Sequence, residues 1–233
     1  SVSADNIYSR GPHFYIYIVM YFGAILYLSA STVITAREFQ NRSRLLIYPL
    51  ILFVMAETII QVALPELHVT WLCVTLLSVL YFIYCSEMWN QLDALTGLLN
   101  QNSYLKQTGG VRCKGGVLVV FDVDDFKQIN DQYGHIQGDL CLAGIAECIK
   151  KSYANFGYCY RIGGDEFCVL LKNGGNEGRC KQEFLQRLQE KRGEIAFLPT
   201  VSYGSAPFSG EDIVKVKDRA DQDMYQYKKE RKN

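Results

Sequence analysis

The sequence predicts an α+β domain, with helices packed on a mainly antiparallel sheet, preceded by a three-helix transmembrane segment. Three observations carry this. After Gln91, short apolar runs of strand length alternate with helical segments. The stretch Tyr160-Arg161-Ile162-Gly163-Gly164-Asp165-Glu166-Phe167 reads as a β-hairpin, with apolar-aromatic runs on either side of a Gly-Gly pair whose turn needs positive φ. Before Gln91, three long stretches are apolar and nearly free of charge.

The zero formal net charge, from 24 Lys+Arg and 24 Asp+Glu, hides two unlike parts: residues 1–91 with the spans and a short junction, and a charged domain over 92–233. The spans fall at about 14–35, 45–64 and 69–86, each close to the ~20 residues that cross a hydrocarbon core. None shows the polar face at helical spacing that a soluble bundle requires. The first lacks a signal-peptide cleavage pattern. Arg37, Arg42 and Arg44 in the first loop, against Pro65, Glu66 and His68 in the second, put the first loop and the 92–233 domain on the cytoplasmic side of the bilayer. Glu57 in the second span reads either as a sensing residue or as a protonated side chain bonded to a neighbouring helix. No Gly or Pro interrupts 86–93, so the third span is expected to continue as helix into the domain. Leu92, Leu95 and Leu98-Leu99 then form a stripe that either pairs two protomers or packs on the domain itself.

The elements follow in order. That leucine stripe gives a helix over 94–106, and the continuous apolar run Val117–Phe121 a buried strand over 116–122. A helix over 125–132 starts at Asp124 and Asp125, which can be read as plain helix-start carboxylates, the reading preferred for Asp125 and left open for Asp124. Gly134 and His135 shape a turn, and Gly138 permits a sharp start to a helix over 138–153. The hairpin strands occupy 157–162 and 166–172; a helix over 178–191, a strand over 199–205 and a helix over 211–230 complete the domain.

The chemistry concentrates at strand ends. A buried strand delivering Asp122 beside a hairpin carrying Asp165 and Glu166 makes an all-oxygen site for a hard cation such as Mg2+, which takes one or two carboxylates together with substrate phosphates. Backbone N–H groups of Phe126 and Lys127 at a helix start can meet phosphate oxygens, with Lys127 adding a point charge. Gly163 and Gly164 let a ligand approach the backbone. The eight cysteines form no CxxC pair and read as core residues, and the three histidines make no metal cluster. There is no basic stripe for nucleic acid.

Five ordered motifs resemble those of the GGDEF-family diguanylate cyclases: DxLTGLxN from Asp93 to Asn100, DxDxFKxIND with GHxxGD from Asp122 to Asp139, RxGGDEF from Arg161 to Phe167, VSYGSA from Val201 to Ala206, and ADxxxYxxK from Ala220 to Lys228. The resemblance implies a ferredoxin-like, nucleotidyl-cyclase core. It implies that Asp122, the carbonyl of Val123, Asp165 and Glu166 share two Mg2+ (or Mn2+) ions, with Asp165 also the base on a ribose 3′-hydroxyl and Glu166 supporting the second ion or the hairpin. It places Lys228 on the phosphates, with Lys232 standing where the family has arginine, and assigns Asn130 and Asp139 to guanine. The implied reaction joins two GTP into cyclic di-GMP in a homodimer at the bacterial inner membrane, for an unidentified downstream receptor. A GTP-binding but inactive signalling module, a receptor or scaffold, and a single-nucleotide cyclase are the alternatives. Two departures stand out. The positions of the family's RxxD product-inhibition site hold Ala154-Asn155-Phe156-Gly157, so no inhibitory site is expected, and Asn100-Gln101 replaces an Asn-Arg pair.

Overall fold

The computed structural model describes residues 70–109, 115–172 and 174–232, with scattered helical positions between Tyr15 and Ile60; of 70–73 and 232 it describes the backbone alone. The chain forms two units, Ser1–Met88 and Trp89–Asn233. In the first, the expected spans at 14–35 and 45–64 lie for the greater part outside the described residues. The third falls on helix α1 (Thr70–Trp89), where Leu76, Val79, Phe82 and Ile83 are exposed. Among the described residues, no helix is long and apolar enough to cross a membrane.

The second unit opens differently from the expected continuous helix. Helix α1 stops at Trp89, and Leu92 and Leu99 close a small loop through an isolated bridge. Inside it, the Asp93 carboxylate accepts hydrogen bonds from the Thr96 N–H and hydroxyl at 2.9 and 2.7 Å, and Gly97 adopts φ 64°. Local side-chain bonding of this kind competes directly with helix. The helix expected over 94–106 is therefore only α2 (Gln101–Thr108), capped by Asn100, whose side chain accepts from the Ser103 N–H and donates to the Asn90 carbonyl. Leu98 and Leu99 are buried in the domain's own core, whereas Leu95 of the same stripe is exposed.

The sheet comprises β1 (Gly116–Val123), β2 (Gly157–Arg161), β3 (Glu166–Leu171) and β4 (Val201–Phe208), in the order β2-β3-β1-β4 with every neighbouring pair antiparallel. Between β1 and β2 the chain runs through α3 (Phe126–Tyr133) and α4 (His135–Tyr153), leaving β3 to insert between the two strands. This split βαβ is the ferredoxin-like arrangement. Helix α5 (Glu177–Glu194) links β3 to β4, and α6 (Ile213–Lys232) follows.

Both faces of β1 are covered, which is why it reads as a continuous apolar run. Val117, Val119, Phe121 and Val123 share one core with Ile145 and Ile149 of α4 and Phe184 of α5. Leu118 and Val120 share the other with Tyr104, Tyr160 and Val216 and Ala220 of α6. Phe121 meets Phe184 and Tyr153 edge-on, with centroids 5.1 and 5.7 Å apart, a favoured aromatic geometry. Cys141, Cys148, Cys159, Cys168 and Cys180 are buried thiols. Burial pushes the Cys141 thiol up to about 11 and Cys159 up to about 12, so these are core residues, not nucleophiles.

Candidate active site

Strand β1 ends at Asp122-Val123, where the register sets Asp122 opposite Glu166 on β3 and Ser202 on β4. The Val123 N–H donates to the Asp165 carbonyl at 3.2 Å, fastening the hairpin tip to the strand end. At that tip the N–H groups of Ile162 and Gly163 both donate to the Glu166 carbonyl, at 3.0 and 3.3 Å. Contrary to expectation, neither Gly163 nor Gly164 adopts positive φ. Four residues separate β2 from β3, and longer hairpin loops are commonly built around turns with ordinary φ. The two glycines matter for space. A Cβ on Gly163 would stand 3.2 Å from the Glu166 side chain, whereas nothing lies within 4 Å of one on Gly164.

Arg161 holds the tip from behind. Its Nε and Nη2 donate to the Gly164 carbonyl at 3.2 and 2.7 Å, and its Nη1 donates to Asp93 Oδ1 at 3.0 Å. Sequence reasoning gave neither residue a role, because only their motif positions marked them. Burial would raise the Asp93 carboxyl, but hydrogen bonds from Thr96 and Arg161 outweigh it and hold Asp93 below its ordinary 3.8. A lowered folded value means stability that is complete above the ordinary value and lost as pH falls through the folded one. Asp93→Asn is therefore expected to cost about 1 kcal/mol near neutrality, allowing for partial exposure. In thermal melts the gap to the parent protein should close progressively below pH 3.8; a pH-independent gap would remove the ion pair as its source.

For Asp124, the reading left open by the sequence is settled by its partners. Instead of a helix-start carboxylate it is 7% exposed, and it accepts hydrogen bonds from the hydroxyls of Thr200 and Ser202, both at 2.7 Å. Lys228 of α6 donates to Asp122 Oδ2 at 2.7 Å and pairs with Asp124 Oδ1 at 3.2 Å. Burial opposes the Asp124 charge, but the two hydroxyls and Lys228 prevail and lower its carboxyl. Burial likewise opposes the Lys228 ammonium, yet hydrogen bonds to Asp122 and Asp124 raise it, so the pair stays fully charged. Asp125, the N-cap of α3, is left-handed at φ 54° and makes no side-chain cap bond.

Helix α3 begins at Phe126, so the first-turn N–H groups of Phe126 and Lys127 have no acceptor within the helix. Asn130 lies one turn on, about 6 Å along the axis. A Cβ on Gly138 would stand 1.9 Å from Asn130 Oδ1 and 3.3 Å from Phe126 Cζ. Gly138 is thus inside α4, not at its start, and is needed so that Phe126 and Asn130 can pack beside exposed Asp139. The sharp turn belongs to Gly134, at φ 87°. Gly138→Ala should displace the Asn130 amide and weaken nucleotide binding by about tenfold, the loss of roughly one hydrogen bond; unchanged binding in calorimetric titration would show that the amide does not read the ligand.

The oxygens of Asp122, Glu166 and the Val123 carbonyl suit a hard divalent cation. Among the described residues, however, no three or more His, Cys, Asp or Glu gather into a group that could hold a metal ion. Three converging carboxylates from Asp122, Asp165 and Glu166 are therefore not seen, and Asp165 joins the strand end through its backbone. Such a donor set fits an ion completed by phosphate oxygens better than one in an all-protein cage. The side chain of Lys232 lies outside the described residues.

Residues 90–233 match the family described as "Diguanylate cyclase, GGDEF domain". The chain is 40% identical over 96 residues to the probable diguanylate cyclase DgcI of Escherichia coli, covering 41% of this chain and 21% of that protein. It is 36% identical over 154 residues to the diguanylate cyclase DgcP of Pseudomonas aeruginosa, covering 59% and 22%. To the diguanylate cyclase DgcS of Shewanella oneidensis it is 32% identical over 149 residues, covering 60% and 50%. The matched region is thus from about a fifth to half the length of these relatives. The crystal structure of diguanylate cyclase SiaD in complex with its activator SiaC from Pseudomonas aeruginosa superposes with a TM-score of 0.55 at 22% identity, over 94% of this chain and 84% of that one, which shows a shared fold. With a family match across most of its length and the motif acids brought to one strand end, the chain belongs to the GGDEF-domain diguanylate cyclases.

Proposed function

We propose that the protein condenses two GTP into cyclic di-GMP with release of two pyrophosphates. The observation that carries this is the strand-end junction: Asp122 lies opposite Glu166 in register, and the Val123 N–H is bonded to the Asp165 carbonyl. A divalent ion, Mg2+ or Mn2+, would be held by Asp122, Glu166 and the Val123 carbonyl together with the nucleotide. When bound, such an ion withdraws charge from the phosphates and acidifies a nearby hydroxyl. The Asp165 carboxylate takes the 3′-hydroxyl proton as that oxygen bonds to the α-phosphorus of the other GTP, and the bond to the β-phosphate bridging oxygen breaks to free pyrophosphate.

Other residues bind and orient. The N–H groups at the start of α3 and the Lys127 ammonium meet phosphate oxygens. Lys228, which spans Asp122 and Asp124, supplies a further cation, with Lys232 as another. The open side of Gly164 leaves room for the phosphates. Asn130 and Asp139 read guanine, whose N1–H and N2–H2 donors suit a carboxylate; adenine would confront Asp139 with an acceptor, at a cost of roughly 2–5 kcal/mol.

One domain binds one nucleotide in this scheme, so turnover requires a homodimer with two sites face to face. The apolar stretches before Gln91 tether the enzyme to the inner membrane and tune how often the domains meet. The replaced RxxD positions imply that added product slows turnover only by competing with GTP; non-competitive inhibition in a product titration would overturn that. The decisive test is GTP with Mg2+ or Mn2+ and the purified protein, with products read by mass. Cyclic di-GMP and pyrophosphate in a 1:2 ratio are expected, with none of the corresponding product from ATP. Nucleotide binding without product would instead favour an inactive module.

A further inference from the structure

We propose that Arg231 supplies the guanidinium that grips the GTP triphosphate, and that Tyr227 holds it there; this rests on the GTP reading above. Arg231 lies three residues after Lys228 on α6, so the two share a helix face. Its Nη1 is 3.6 Å from Asp124 Oδ2, while Lys228 Nζ is 3.2 Å from Asp124 Oδ1. The guanidinium therefore stands beside the ammonium that reaches Asp122. Asp124 does not need it, being already served by Thr200, Ser202 and Lys228. A 3.6 Å ion pair is longer than a hydrogen bond. The arginine side chain is 40% exposed, so its donors are accessible to an anion.

Its placement is built rather than incidental. The guanidinium carbon lies 5.7 Å from the centroid of Tyr227, the residue one turn earlier. Tyr227 packs on Tyr203 of β4 with centroids 4.4 Å apart, and Lys181 of α5 lies 4.4 Å from the centre of Tyr203. Two tyrosines thus tie the end of α6 to the sheet and present Arg231 at the site. The remaining cations considered for the phosphates, Lys127, Lys228 and Lys232, are all ammonium groups. Only a guanidinium offers the planar fork that meets two phosphate oxygens at once.

The test titrates the full chain with the α,β-methylene analogue of GTP, which cannot release pyrophosphate, and in parallel with guanosine, which keeps the base and lacks phosphate. Arg231→Ala and Arg231→Gln should each weaken analogue binding about 10- to 30-fold, the loss expected for a charge-assisted contact. Guanosine binding should stay within about twofold for both, since no base contact is altered. Arg231→Lys should fall between, because it keeps charge and loses the fork, and Tyr227→Ala should weaken the analogue about 3- to 10-fold through lost orientation. The inference is overturned if both Arg231→Ala and Arg231→Gln bind the analogue like the parent protein, if they lose guanosine equally, or if Lys232→Ala alone carries the loss. Failure of the unmutated chain to bind the analogue overturns the GTP reading itself, and this inference with it.

Discussion

Replacing Asp165 with alanine should abolish formation of cyclic di-GMP from GTP while leaving the melting temperature almost unchanged. The separation of the two effects follows from how Asp165 is held. Its carbonyl, not its carboxylate, accepts the Val123 N–H that fastens the hairpin to β1, and that bond survives truncation at Cβ. The tip keeps its other anchors, because Arg161 grips the Gly164 carbonyl and Glu166 receives the N–H groups of Ile162 and Gly163. Substitutions that disturb neither packing nor buried hydrogen bonds stay within about 0.5 kcal/mol. The chemical loss is much larger, since a positioned general base is worth about 10²- to 10⁴-fold. Product measured by mass over a long incubation, beside a thermal melt, checks both halves. A variant that keeps a tenth of the rate would remove Asp165 from proton transfer, and the strand-end acids would need another base.

What could be read from the residues alone was local. Strand β1 declared itself because both its faces are buried, and the hairpin because aromatic runs flank its glycines. The stretch 93–99 misled because its leucines fall at helical spacing, while one Asp-Thr contact three residues apart wins the backbone for a turn. Long-range partners were invisible in principle. Asp124 finds its hydroxyls at Thr200 and Ser202 and its cation at Lys228, and no spacing near position 124 announces them. The same holds for Arg231, whose local partner Tyr227 is itself seated on Tyr203 of β4. Glycines were misread for a related reason. Gly163 and Gly138 looked like conformational devices, and both proved to be matters of clearance.

Clearance also sets the largest expected loss of stability. A Cβ on Gly204 would stand 2.2 Å from the Ala220 carbonyl oxygen and the Met224 nitrogen, and 2.8 Å from the Met224 Cα. All three are backbone atoms of α6, so no rotamer change can relieve the clash and the helix itself must retreat from β4. Overpacking of that kind costs about 2–3 kcal/mol, and for a domain of this size the melting temperature should fall by about 5–10 °C. The consequence reaches the site, because Lys228 lies one turn beyond Met224 and bridges Asp122 and Asp124 only while α6 is seated. Gly204→Ala should therefore lose roughly tenfold in turnover, equivalent to one weakened charged contact, even well below its melting temperature. Gly178→Ala is the matched control: it lies in α5 with nothing within 4 Å of the added carbon and should be neutral or stabilising by about 0.5–1 kcal/mol. If Gly204→Ala melted like that control, α6 could not rest on β4 as closely as the geometry requires, and the ammonium now bridging the two aspartates would have no rigid support.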